Sequence, residues 1–135
     1  MKLIFIWGCL MGFFSCFVNK NSKVIDQKST LLQKCVNHQT FMNSYKDSSI
    51  YILENDLIHS DEDLQVYWKN TKVRVIKRDS KEKSLITYLT LADYTLVDET
   101  ARIQLGSSNN FLYNFFLNKI DDGWVVVNSI VIQDK

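Results

Sequence analysis

Apolar side chains recur at helical spacing from residue 24 to 45: Val24, Leu31, Cys35, His38, Met42 and Tyr45, with Leu32 and Val36 beside them. Lys28, Gln33, Lys34, Asn37 and Gln39 take much of the remaining surface. A period near 3.6 of this kind predicts one long amphipathic helix, with Asn21 or Ser22 as its N-cap and Asp47-Ser48-Ser49 as its stop. Beyond it the period changes to two. Ile50 to Ile58 is apolar and β-branched in its first half, and Thr71 to Arg78 alternates around Val73 and Val75. Between them Ser60-Asp61-Glu62-Asp63 carries a capping-box pattern, which predicts a short helix or helical turn before Leu64, Tyr67 and Trp68. Ser84 to Ala92 places Leu85, Thr87, Leu89 and Leu91 on one face, and Asp93 to Asp98 continues it after a bend or bulge.

The last third alternates most clearly. Ala101, Ile103 and Leu105 oppose Arg102 and Gln104, and after a loop Phe111, Tyr113, Phe115 and Leu117 share a face. Asp121-Asp122-Gly123 reads as a hairpin turn in which the glycine takes the positive φ. In the final strand Trp124, Val126, Asn128, Ile130 and Ile132 alternate with Val125, Val127, Ser129 and Val131. Both of its faces are largely apolar, the composition of a central or doubly covered strand. The expected domain is α+β: one long N-terminal helix packed on a twisted antiparallel sheet of about five to six strands.

This order of elements resembles the cystatin-like fold, including the nuclear-transport-factor-2-like (NTF2-like, ketosteroid-isomerase-like) superfamily. The stretch ARIQLGSSNNFLYNFFLNKIDDGWVVVNSIVI carries most of the resemblance, through an aromatic-rich strand, a K-x-D-D-G-W turn and a valine-rich strand. The resemblance implies a conical pocket behind the helix. Its lining would come from Tyr67, Trp68, Tyr88, Tyr113, Phe115 and Trp124, although strand aromatics at period two are core residues first. For an enzyme of that superfamily it also implies an aspartate base facing a tyrosine or protonated acid. By type the candidates are Tyr88, Tyr94, Tyr113, Asp93 and Asp98, and no spacing singles out a pair.

The N-terminus has its own pattern. Lys2 precedes an apolar run from Leu3 to Phe14, and the polar stretch from Asn19 to Lys23 follows. A dozen apolar residues match a signal-peptide core and fall short of the ~20 a spanning helix needs. Phe13-Phe14-Ser15-Cys16 resembles a bacterial lipobox, loose in its first two positions and similar to those of Bacteroidetes-like bacteria. The organisation expected is a signal peptide over 1–15, a lipidated tether over 16–22 beginning at Cys16, and a single domain over 23–135. The resemblance implies a multi-chain lipid anchor on Cys16, palmitate among its acyl groups, and hence a cell-envelope protein facing periplasm or cell surface. An ordinary secretory cut near Ser15 and a single-span anchor are the alternatives.

Composition narrows the function classes. The chain of 135 residues is 46% hydrophobic and contains no proline, which a disordered chain does not match. Sixteen basic residues face fifteen acidic ones; without residues 1–15, which hold only Lys2, the balance is 15 against 15. A neutral chain with interspersed charges has no electrostatic footprint for nucleic acid. The two histidines, His38 and His59, stand in no metal-ligand spacing, Cys35 falls on the helix stripe, and no G-x-S-x-G or phosphate-loop motif occurs. No catalytic residue, metal or cofactor is therefore assigned. The reading is a non-enzymatic binding module whose partner is a protein or a small apolar ligand. The alternatives are a small isomerase- or dehydratase-type enzyme and an apolar-ligand carrier.

Overall fold

The computed structural model describes residues 26–134. The expected signal peptide over 1–15, the expected lipidation site Cys16 and tether over 16–22, and the expected caps Asn21 and Ser22 lie outside the described residues.

The single long helix is not what forms. Residues 26–36 are helical (α1), the chain breaks at Asn37 and His38, and a second helix, α2, covers Gln39–Ser44. His38 is extended (φ −72°, ψ 141°) and caps α2, its Nδ1 accepting the Thr40 N–H at 3.3 Å. The break shifts the helical phase by one residue. Phe41 turns inward and is fully buried, while Met42, expected on the stripe, is 52% exposed.

Eight strands follow among the described residues. β1 is Tyr51–Leu53, β2 Tyr67–Trp68, β3 Thr71–Lys72, β4 Arg74–Ile76, β5 Leu89–Val97, β6 Thr100–Ser107, β7 Phe111–Ile120 and β8 Gly123–Gln133. β2 and β3 form a small ribbon; the other six form one sheet in the order β4-β1-β5-β6-β7-β8. The sheet is mixed rather than antiparallel, because β1 lies parallel to both β4 and β5. The fold is thus α+β, with two short helices against a six-stranded mixed sheet. The expected alternation from Ser84 does not begin there: Lys81–Ser84 is a 3₁₀ turn and Leu85 is 85% exposed. No helix forms at Ser60. Glu62 instead reaches back to the His59 N–H at 3.0 Å and closes a turn.

Two bulges set the faces of the sheet. One falls between Leu91 and Asp93, so Leu89 and Leu91 share the inner face with Tyr94. The other, at Val127, reverses the expected alternation of β8. Val126, Ser129 and Val131 pair along the inner side opposite Leu117, Phe115 and Tyr113, while Asn128, Ile130 and Ile132 join Phe116, Asn114 and Leu112 on the outer side. In the β7–β8 turn the positive φ belongs to Asp121 (55°), not Gly123; a short polar side chain tolerates that region. The core lies between the inner face and the helices. It holds Leu31, Leu32, Cys35, Val36 and Phe41 against Leu89, Leu91, Ile103, Leu105, Tyr113, Phe115 and Leu117.

Candidate functional site

The six aromatic residues that the resemblance put around a pocket do not share one place. Trp68 and Tyr113 meet at Phe41: ring centroids lie 5.4 Å apart for Trp68, edge-on, and 4.8 Å for Tyr113. Tyr45 stacks on the same ring at 4.9 Å. The Trp68 indole N–H donates to the Asp47 carbonyl at 2.9 Å, so its polar edge is satisfied. Phe115 is fully buried beside His38, centroids 6.1 Å apart, and Trp124 is buried further along the inner face. Tyr67 stands apart and 47% exposed, its backbone N–H and carbonyl both held by the Gln33 amide at 2.7 and 2.9 Å. Tyr88 is half-buried just before β5, its N–H on Ser108 Oγ at 3.0 Å. Phe41, the ring that organises this cluster, has no signal in the sequence once a continuous helix is assumed.

Three surface depressions lie elsewhere. One of about 340 Å³ runs along α1 past Ser29, Gln33 and Gln65, and two follow the β4 edge past Ser60, Arg74 and Val75. None of these three is lined by any of the six aromatics. Among the described residues the buried Tyr113 hydroxyl has no hydrogen-bond partner. Ser44 beside it gives its own hydrogen to the carbonyls of Thr40 and Phe41, and burial raises the Tyr113 pKa.

Asp93 is separated from two of the tyrosine candidates by the sheet itself. Asp93 pairs through Gln104 towards Asn114 on the outer face, whereas Tyr94 and Tyr113 are on the inner one. Asp93 accepts from Thr95 Oγ1 at 2.5 Å and Arg102 Nε at 2.6 Å, which hold its carboxyl below the usual range. Asp98 occupies the β5–β6 turn with φ 53°. Asp93 therefore shares no face of the sheet with Tyr94 or Tyr113.

A different polar cluster closes one end of the core. Lys28 Nζ reaches Glu62 Oε2 at 2.9 Å and the Leu57 carbonyl at 2.9 Å, with both charged side chains under 15% exposed. The ammonium also stands 5.8 Å from the Tyr94 ring centroid. Burial, and secondarily the Glu62 charge, push the Tyr94 phenol up to about 12. The sequence placed Lys28 on the helix surface and Glu62 in a capping-box pattern; they are 34 residues apart, and nothing local marks them as partners. Among the described residues no group of three His, Cys, Asp or Glu side chains converges on a metal position.

The remaining feature is the outer face of β7 and β8. Phe116, Ile120, Val125, Val127, Ile130 and Ile132 are each between 36 and 53% exposed. β8 is an edge strand, and Gly123–Gln133 contains no charged residue. The composition of a doubly covered strand therefore occurs at an edge covered on one side alone among the described residues.

No helix among the described residues is long and apolar enough to cross a membrane. Neither a protein-family model nor a curated protein matches this sequence. Among solved structures, the chain is similar to an NTF2-like protein of unknown function from Shewanella baltica, at 13% identity over 82% of this chain and 89% of that one, with a TM-score of 0.36.

Proposed function

We propose that this protein is a cell-envelope lipoprotein, tethered through Cys16, whose domain works by binding a protein partner rather than by catalysis. The exposed apolar face of β7–β8 carries the binding half of the reading. A surface of six large apolar side chains, four of them on the uncharged β8 and two on β7, is costly to leave in water and has the form of a contact site. The separation of Asp93 from Tyr94 and Tyr113 by the sheet supports a non-catalytic role. The anchoring half rests on Ser15-Cys16 at the end of the apolar run, followed by a polar tether. The closing hairpin is the reason to regard the domain as NTF2-like.

Two measurements test this. Mass spectrometry of the mature chain from a bacterial host should find Cys16 as an acylated N-terminus; a free, unacylated residue there ends the anchoring claim. An Ile130→Cys chain in native membranes should react slowly with a maleimide and quickly after denaturation. Fast labelling in the native membrane would mean the face is bare, and the binding reading fails.

A further inference from the structure

We propose that the segment from Lys77 to Leu85 is a membrane-docking site, whose cations meet anionic lipid headgroups while Leu85 enters the interface between them. It is a second contact with the bilayer, separate from the tether proposed at Cys16, and it sets how the domain stands on the surface.

Charge is unevenly spread over the described residues. Between 72 and 83 the chain carries six basic side chains, Lys72, Arg74, Lys77, Arg78, Lys81 and Lys83, against Asp79 and Glu82. The other described residues carry six basic side chains against thirteen acidic ones. A chain that is near neutral in sum is therefore acidic over most of its domain and basic along one segment. An anionic surface attracts that segment and repels the rest, which orients the domain as well as holding it.

Most of these cations are uncommitted. Lys77, Arg78, Lys81 and Lys83 are all exposed. Among the described residues no carboxylate lies within ion-pair distance of Lys77, Lys81 or Lys83. Arg78 meets Asp56 only at 3.7 Å, with both side chains in solvent, and a pair of that kind contributes little and exchanges readily for a headgroup. Lys72, held by Asp63 at 2.8 Å, stands at the margin of the site.

Leu85 selects a bilayer over other anions. At 85% it is the most exposed large apolar side chain among the described residues, and the turn beneath it is built. Ser80 Oγ accepts the Glu82 N–H at 3.3 Å, and the Leu85 N–H donates to the Glu82 carbonyl at 2.9 Å. Lys83 Nζ donates to the Arg78 carbonyl at 2.9 Å and closes the segment on itself. A dissolved polyanion uses the cations and leaves Leu85 in water. A bilayer takes both, the headgroups meeting the cations and the acyl boundary receiving the leucine.

The site also lies near the start of the domain. Lys28 Nζ donates to the Leu57 carbonyl at 2.9 Å, and the adjacent Asp56 faces Arg78. Ten residues separate Cys16 from Asp26 and span at most about 36 Å. An anchor at Cys16 therefore leaves the segment within reach of the bilayer.

The experiment uses the full chain purified from a bacterial host and reconstituted with vesicles of phosphatidylcholine alone or of equal parts phosphatidylcholine and phosphatidylglycerol. An environment-sensitive fluorophore is placed on Leu85→Cys and, as control, on Asp122→Cys, an exposed position in the β7–β8 turn. The parent chain gives the background of the native cysteines. The expected result is a blue shift at residue 85 on the phosphatidylglycerol vesicles alone, quenched by nitroxide-labelled lipid, lost in molar salt and absent at residue 122. Each cation near an anionic surface counts for about fivefold. Adding Lys77→Gln, Lys81→Gln and Lys83→Gln should therefore weaken docking about a hundredfold and abolish the shift, with an unchanged far-ultraviolet spectrum showing that the domain stays folded. Flotation separates the two contacts. A chain that floats with both vesicle types while residue 85 stays in water keeps the tether and overturns the docking site. One that floats with phosphatidylglycerol vesicles alone, with the shift, keeps the docking site and overturns the tether. Flotation with neither overturns both, and a shift without quenching places protein over Leu85 and overturns the lipid surface.

Discussion

Phe41 shows how much one ring can organise. It is fully buried, stacks on Tyr45 at 4.9 Å, receives Trp68 edge-on at 5.4 Å and touches Tyr113 at 4.8 Å. Truncating it removes the centre of a four-ring cluster drawn from α2 and its cap, β2 and β7, so the cavity cannot collapse easily. Phe41→Ala is expected to cost about 3–5 kcal/mol, read as a lower midpoint in urea unfolding. Met42 is its neighbour and 52% exposed; Met42→Ala should stay within about 0.5 kcal/mol. Equal losses at the two positions would mean that the helix is continuous and its phase is the one that the apolar spacing suggests. The two readings differ by a single residue because Asn37 and His38 break the helix. The side chain that marks the break is His38, whose capping bond to Thr40 is a local detail that a hydrophobic stripe does not encode. Candidate site residues were legible in the same partial way. Alternation identified Tyr113, Phe115 and Trp124 as inward, and they are buried. It offered no means of seeing that Tyr67 would point out or that Lys28 would find Glu62.

At the scale of elements, alternation reports which face a residue occupies but not which strand lies next to it. The antiparallel succession from β5 to β8 was legible because short turns leave hairpin pairing as the natural outcome. The parallel placement of β1 between β4 and β5 was not, since it depends on long connections crossing the sheet end. Nor was the bulge at Val127, which adds one residue to a run of valines and so exchanges inner for outer sides beyond it. One of those long connections is tied down by the Lys28–Glu62 pair, joining α1 to the 54–64 segment with help from the Leu57 carbonyl. Breaking one partner of a mostly buried pair leaves the other charge without its counter-ion. Glu62→Gln should therefore cost about 2–3 kcal/mol, with faster amide exchange in the 54–64 segment. The double variant Lys28→Met with Glu62→Leu should recover most of that loss, because it removes both desolvated charges. A double variant as unstable as the sum of its parts would show that the pair acts through packing of the lysine stem rather than through charge.

The whole molecule has a pH dependence written into its inner face. Burial raises the phenol pKa of Tyr45, Tyr94 and Tyr113, Asp47 adding to it at Tyr45 and Glu62 at Tyr94. A raised pKa in the folded state means the neutral phenol is the form the fold accepts. The unfolded chain ionises first, near the ordinary value of 10.0, and from there upward each lost proton favours unfolding. These tyrosines thus contribute stability that is fully present below pH 10 and is lost as pH rises, for Tyr94 across the interval from 10 to about 12. Thermal unfolding followed between pH 8 and pH 11 should show a midpoint that changes little from this source up to about pH 10 and then declines. Tyr94→Phe keeps the ring over Lys28 and removes the ionisable group, so its midpoint should decline less steeply above pH 10 than the parent's. Identical alkaline slopes for parent and variant would mean that the Tyr94 hydroxyl is solvated and that the end of the core beside Lys28 and Glu62 stands open rather than closed.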